Sequence, residues 1–120
     1  MKQHDPAFIQ ITNQARQRIA ELSVAEVRQR LNEGEATLLI DVREDHEWAK
    51  GHIEGAKHLG KGIIERDIAK LAPHTDHPTV LYCGGGYRSA LAADALQQMG
   101  YTAVYSMAGG YRAWRADSSD

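Results

Sequence analysis

The chain contains a single cysteine, Cys83. One thiol cannot form an internal disulfide, and a zinc site built on a cysteine pair is excluded. A lone free thiol persists in a reducing compartment, so the composition predicts a cytoplasmic protein. Neither sign of charge is in large excess: 14 Lys and Arg face 16 Asp and Glu, a formal charge of −2. That balance excludes nucleic-acid binding through bulk charge, though not a local basic patch. No apolar run approaches the roughly 20 residues of a membrane span. Residues 1–12 carry no apolar stretch of the kind a secretory signal needs. Repeats, low-complexity tracts and blocks of like charge are missing as well.

What remains describes one folded domain. The 120 residues are 42% hydrophobic and 25% charged, close to ordinary globular usage, so wholesale disorder is excluded. A chain of this length buries roughly two-thirds of the surface its unfolded form exposes. It can hold a core without metal or disulfide staples.

The order of elements follows from caps and periodicity. Asp5-Pro6 starts a first helix running to about Arg18, with Phe8, Ile9, Ile11, Ala15, Ile19 and Leu22 near one helical face. Ser23 to Glu26 is a capping box that opens a second helix, striped by Val24, Val27 and Leu31 and ended by Gly34. Thr37 to Ile40 is a short apolar run, read as a buried strand stopping at Asp41. Asp45 to Lys50 is a short helix closed by Gly51, and Ala56 to Leu59 a short strand. Ile63 to Leu71 is helical, and Pro73 and Pro78 bracket the next loop. Thr79 to Tyr82 is a second buried strand that runs straight into Cys83. After three glycines, Arg88 to Met99 is an amphipathic helix carrying Ala90, Leu91, Ala93, Ala95 and Leu96, stopped by Gly100. Ala103 to Tyr105 is a further strand, Gly109-Gly110 breaks the chain, and Tyr111 to Ala116 closes it with a helical turn. Strands alternating with helices imply a parallel sheet covered on both faces.

The segment Cys83-Gly84-Gly85-Gly86-Tyr87-Arg88-Ser89 joins a buried strand to a helix. Ligands of open α/β sheets sit beyond the carboxyl ends of strands, and Cys83 stands there. Consecutive glycines let several backbone N–H groups converge on one point, with Gly86 expected at positive φ. The following helix adds its positive N-terminal end, and Arg88 a fixed charge. Such a cup binds an anion and stabilises a thiolate at its centre. The plainer reading makes Cys83 a small buried hydrophobe and the glycines a tight turn. A turn alone does not require a triple glycine directly behind a lone Cys with an Arg five residues on.

Cys83-x-x-Gly86-x-Arg88-Ser89 resembles the active-site loop of rhodanese-like domains, which are sulfurtransferases. Ile40-Asp41-Val42-Arg43-Glu44 is similar to that family's D-V-R strand end. Glu47-Trp48 and Gly51-His52-Ile53-Glu54-Gly55-Ala56 resemble its segment of an acid and an aromatic followed by G-H-I-x-G-A. Gly109-Gly110-Tyr111-Arg112-Ala113-Trp114 resembles its C-terminal signature. The four segments occur in the family's order. The resemblance divides the chain into an N-terminal helical extension, residues 1–22, and a rhodanese-like domain, residues 23–120. It implies a three-layer α/β/α fold on a five-stranded, mainly parallel sheet. It also implies that Cys83 is the catalytic nucleophile and becomes a persulfide. Gly84, Gly85, Gly86, Tyr87, Arg88 and Ser89 would then bind the substrate through their backbone N–H groups. The sulfur would come from a small-molecule donor such as thiosulfate and pass to cyanide, a thiol or a protein acceptor. No metal, organic cofactor, nucleic acid or membrane is implied.

The chain departs from the family in two places. Thiosulfate-directed members often carry basic residues directly after the Cys, where Gly84 and Gly85 stand here. Lys57-His58-Leu59-Gly60 replaces a segment that usually reads x-N-I-P.

The other tempting residues have structural readings. Resemblance pairs Arg43 with an acid such as Glu47, to pin a loop rather than to catalyse. The resemblance likewise makes His52 a hydrogen-bonded scaffold residue rather than a general base. His74 and His77 are close, but no companion carboxylate pattern or second Cys supports zinc. Gly55 to Gly62 nearly matches a nucleotide phosphate loop, yet Gly62 replaces the Ser or Thr that would hold magnesium. Trp48 and Trp114 fall at element ends and read as packing residues. Two competing functions remain: a non-catalytic sulfur carrier or docking module, and a Cys-dependent phosphatase. Phosphatases of the related fold resemble this loop but place five residues between Cys and Arg, where this chain has four, Gly84 to Tyr87.

Overall fold

The computed structural model describes residues 4–33 and 36–117. Gly34, read as the stop of the second helix, lies outside the described residues, as do residues 1–3 and 118–120.

Helix α1 (Pro6–Arg16) begins as its sequence dictates. The Asp5 carboxylate accepts the N–H groups of Ala7 at 2.9 Å and Phe8 at 3.3 Å, and Pro6 takes the first turn, where its missing N–H costs nothing. The periodicity sets Ile19 and Leu22 on the face of this helix, but they do not continue it. The chain leaves it at Arg16, and residues Ala20–Leu22 form strand β1. The guanidinium of Arg18 donates to both carboxylate oxygens of Asp94 at 3.0 and 2.8 Å, and Gln97 Nε2 donates to the Arg18 carbonyl at 2.8 Å. These bonds hold the turn, and β1 then pairs with an otherwise open sheet edge. A three-residue strand is too short to show a period of two.

Helix α2 (Val24–Asn32) opens on the expected capping box: Ser23 Oγ accepts from Glu26 N at 3.1 Å, and Glu26 Oε1 accepts from Ser23 N at 2.8 Å. There follow β2 (Leu38–Asp41), α3 (Asp45–Lys50), β3 (Lys57–His58) and a 3₁₀ turn (Lys61–Ile63) running into α4 (Ile64–Leu71). Then come β4 (Thr79–Tyr82), α5 (Tyr87–Gln98), β5 (Val104–Met107) and α6 (Gly110–Ala116). The five strands form one sheet in the order β1-β5-β4-β2-β3, every neighbouring pair parallel.

Alternation along the strands divides the core in two. Val80 and Tyr82 of β4 face Val27, Ile53 and Met107, beneath α2 and α6. Leu81 and Cys83 face the other way, towards Ile64 and Ile68 of α4 and Leu96 of α5. Helix α1 packs on α5 in that second layer. Cys83 therefore continues the parity of a buried strand one residue past its end, which points its sulfur at the start of α5.

The carboxyl end of β2 carries a buried ion pair. Asp41 is 0% exposed and Arg43 5%. Arg43 Nε lies 3.1 Å from both Asp41 oxygens, and Nη2 lies 2.8 Å from Oδ2. Nη2 also donates to the Gly51 carbonyl at 2.6 Å. The pairing of Arg43 with Glu47 implied by resemblance is thus corrected. Residues two apart on an extended chain share a side, so Asp41 reaches Arg43 first. Breaking a buried pair strands the remaining charge. Arg43→Ala should cost about 3–5 kcal/mol of folding stability, read as a lowered urea midpoint at unchanged m-value.

Candidate active site

Cys83 is 1% exposed. Its Sγ accepts the backbone N–H of Gly86 at 3.1 Å and of Ser89 at 3.3 Å. As a thiol it donates to Ser89 Oγ at 3.5 Å, and Ser89 Oγ lies 2.8 Å from Ser106 Oγ. Gly86 takes φ +98° at the N-cap of α5, as its place in the loop predicts. Only a residue without Cβ adopts that conformation at little cost. The turn is what brings an N–H from the loop and another from the first turn of α5 onto one atom. Among the described residues the N–H groups of Gly84, Gly85, Tyr87 and Arg88 meet no protein acceptor, so four further donors are free in the loop and helix start. The arrangement can hold a sulfur anion at its centre and a second anion at its rim.

The side chains of the loop go to different places. Arg88 is half-buried and bound to Glu47, with Nη1 2.7 Å from Oε1 and Nη2 3.1 Å from Oε2. This hydrogen-bonded guanidinium is the largest influence holding the Glu47 carboxyl at about 2, against the opposing effect of burial. The same pairing raises Arg88, and the charge of the Cys83 sulfur adds to it. Tyr87 turns its ring to α1, where the His4 ring lies 4.6 Å away centre to centre and the Arg16 guanidinium carbon 4.8 Å from the ring centre. Ser89 is fully buried against Ser106.

Sequence reading missed four contributors. Gly110 is the first. With φ +61°, it packs so closely that a Cβ there would collide with the Cys83 carbonyl oxygen and lie 2.7 Å from the Gly84 carbonyl carbon. That approach lets Tyr111 N donate to Cys83 O at 2.7 Å and Arg112 N to Gly84 O at 3.1 Å. Ser106 is the second; its parity with Val104 on β5 was the available signal, since it sets a polar residue on the Cys83 face. Arg16 is the third, donating to the Gly86 carbonyl at 3.3 Å across 70 positions of sequence, with no local signal at all. Glu47 is the fourth, as the partner of Arg88 rather than Arg43. His52 is a scaffold residue as expected: Nδ1 lies 3.1 Å from the Trp48 carbonyl oxygen and the ring stacks on Trp48 at 3.5 Å. Among the described residues no three His, Cys, Asp or Glu gather as a metal site.

A parallel α/β sheet with a lone cysteine at a strand end, cradled by a glycine loop and a helix start, defines a class of small cysteine-centred domains. Residues 23–117 match the Rhodanese-like domain, and the chain belongs to that family. It is 38% identical over 78 residues to thiosulfate sulfurtransferase GlpE of Stutzerimonas stutzeri, covering 65% of this chain and 70% of that one. The human single-domain sulfurtransferase TSTD1 superposes with a TM-score of 0.75 at 29% identity, over 82% of this chain and 97% of that one. A Rhodopseudomonas palustris protein of unknown function, described as a possible tyrosine phosphatase, superposes with a TM-score of 0.85 at 29% identity. It covers 97% of this chain and 95% of its own length. Among the described residues no helix is long and apolar enough to cross a membrane.

Two predictions test this geometry. Because the folded Glu47 carboxyl is held below its unfolded value, its pairing stabilises the fold above about pH 4.5 and is lost as pH falls towards about 2. Glu47→Gln should therefore lower stability at neutral pH and flatten the acid limb of a melting-temperature profile between those values. Gly110→Ala, which adds a Cβ against backbone at a left-handed position, should cost about 2–4 kcal/mol in chemical denaturation.

Proposed function

We propose that the protein is a sulfurtransferase that moves sulfane sulfur from a donor such as thiosulfate to a thiophilic acceptor through a persulfide on Cys83. The observation that carries this reading is the convergence of the Gly86 and Ser89 N–H groups on Cys83 Sγ. Membership of the rhodanese-like family and the likeness to GlpE and TSTD1 support it. The Cys83 thiolate attacks the outer sulfur of the donor. A bond forms between Sγ and that sulfur, and the donor's sulfur–sulfur bond breaks with its electron pair leaving on sulfite. The persulfide anion then rests among the free N–H donors of Gly84, Gly85, Tyr87 and Arg88. Cyanide or a thiolate attacks the outer sulfur in the second step and restores the Cys83 thiolate. The acceptor is a small molecule or the thiol of a partner protein, in the reducing cytoplasm that a lone thiol suits.

Phosphoryl transfer is the weaker reading, despite the Rhodopseudomonas neighbour. The loop has four residues between Cys83 and Arg88. A phosphate ester needs a wide ring of donors and a free guanidinium, and here Arg88 is already engaged by Glu47. The Cys83→Ser variant, nearly isosteric, should fold normally and transfer no sulfur. Intact mass after thiosulfate should show the wild type heavier by one sulfur atom, reversed by reductant, and the variant unchanged. Aryl phosphate turnover by the wild type that disappears in Cys83→Ser would replace the sulfurtransferase by a phosphatase. Stoichiometric loading without multiple turnovers to cyanide or thiols would make the protein a carrier.

A further inference from the structure

Gly84 and Gly85 leave room that two guanidinium groups use. A Cβ on Gly84 would lie 3.2 Å from Arg88 Nη2, and one on Gly85 would lie 3.9 Å from Arg112 Nη2. The loop therefore borders positive charge at both positions, although neither carries a side chain. The two charges differ in what they are free to do. Arg88 is spent on Glu47. Arg112 is exposed, and among the described residues no carboxylate pairs with it. Its own backbone is fixed, because Arg112 N donates to Gly84 O at 3.1 Å. Arg115, three residues on along α6, is exposed and also without a carboxylate partner among the described residues. Gly84, Tyr111, Arg112, Arg115 and Ala116 line one open cleft of about 530 Å³ beside the cysteine loop.

We propose that Arg112 is the donor-binding residue of this site, taking the sulfonyl oxygens of an anionic sulfane donor, thiosulfate or an organic thiosulfonate. The proposal rests on the sulfur-transfer reading of Cys83 and adds where the donor's charge is held. In the first half-reaction a thiolate meets a second anion, and two negative charges repel each other strongly away from bulk water. The loop's backbone donors are neutral dipoles; they carry no net charge to offset the oxyanion. A planar guanidinium fits two sulfonyl oxygens at once and stays charged at every working pH. It also receives the electron pair's destination, since sulfite departs with those same oxygens. Arg115, also on the cleft wall, adds to the positive field. The cleft is larger than inorganic thiosulfate needs, so a thiosulfonate with an organic group is accommodated as well.

The experiment pairs a kinetic readout with one that needs no sulfur transfer. Arg112→Gln should raise the KM for thiosulfate about tenfold while kcat to cyanide changes by less than about twofold. The KM for benzenethiosulfonate, with one negative charge fewer, should rise less, and Arg112→Lys should recover part of the loss. Separately, the rate of Cys83 alkylation by iodoacetate, divided by that with neutral iodoacetamide, should fall several-fold in Arg112→Gln, since only the anion feels the lost charge. Melting temperature should stay unchanged, as the side chain is exposed. An unaltered alkylation ratio, or a thiosulfate KM equal to that of the wild type, overturns the proposal. A fall in the alkylation ratio in a protein that forms no persulfide would leave an anion subsite at Arg112 and remove the sulfur-transfer reading instead.

Discussion

The contact on which the site depends is backbone against backbone. Gly110 lies against the Cys83 and Gly84 peptide so closely that no other residue fits without movement. Through that contact the first turn of α6 donates Tyr111 N and Arg112 N to the carbonyls of Cys83 and Gly84. A loop rich in glycine has large conformational freedom to lose, and the two bonds fix it from outside. They also satisfy two of the loop's carbonyls. With those turned to α6, the loop's N–H groups are left for Sγ and for a ligand. The polarity of the cup thus originates in α6 as much as in the loop.

The same economy of side chains governs charge. Gly84 and Gly85 carry no basic groups, yet guanidinium nitrogens of Arg88 and Arg112 lie within 4 Å of where a Cβ on each would stand. Glu47 neutralises the first and rigidifies it; the second is left open to solvent. One guanidinium is paired and the other has no carboxylate partner among the described residues, and only the packing of α3 and α6 around the loop tells them apart.

Much of this was legible in the sequence where causes are local. The Asp5-Pro6 start, the Ser23–Glu26 box and the Gly86 turn each depend on a few neighbouring residues, and each is found as read. The parity of Thr79–Tyr82 set Cys83 opposite α5. What was not legible depends on approach between distant segments. Nothing in the residues around Glu47 decides between Arg43 and Arg88 as its partner. Asp41 decides it, by occupying Arg43 from the same strand end. Strand β1 was hidden because three residues carry no period, and because Ile19 and Leu22 happen to fit a helical spacing too. Gly110 read as a break in the chain, since its meaning lies in the Cys83 carbonyl it approaches.

The residues before Ser23 are tied into the site by two independent routes. Strand β1 pairs in register with β5, Glu21 opposite Ser106, which places the segment beside the strand that carries the hydroxyl behind Ser89. His4, just ahead of helix α1, and Arg16, at its end, meanwhile cover Tyr87, and Arg16 Nη2 donates to the Gly86 carbonyl. Arg16 is in turn held by Glu21, whose carboxylate lies 3.4 Å from its Nε. The two peptide groups that flank the Gly86 Cα are therefore both held, the preceding one by its N–H on Cys83 Sγ and the following one by its carbonyl, engaged from α1. A glycine whose two flanking peptides are both held has little freedom to rotate, although a positive-φ glycine would otherwise rotate readily. The segment before Ser23 thus bears on the cysteine without touching it, through the backbone on either side of Gly86.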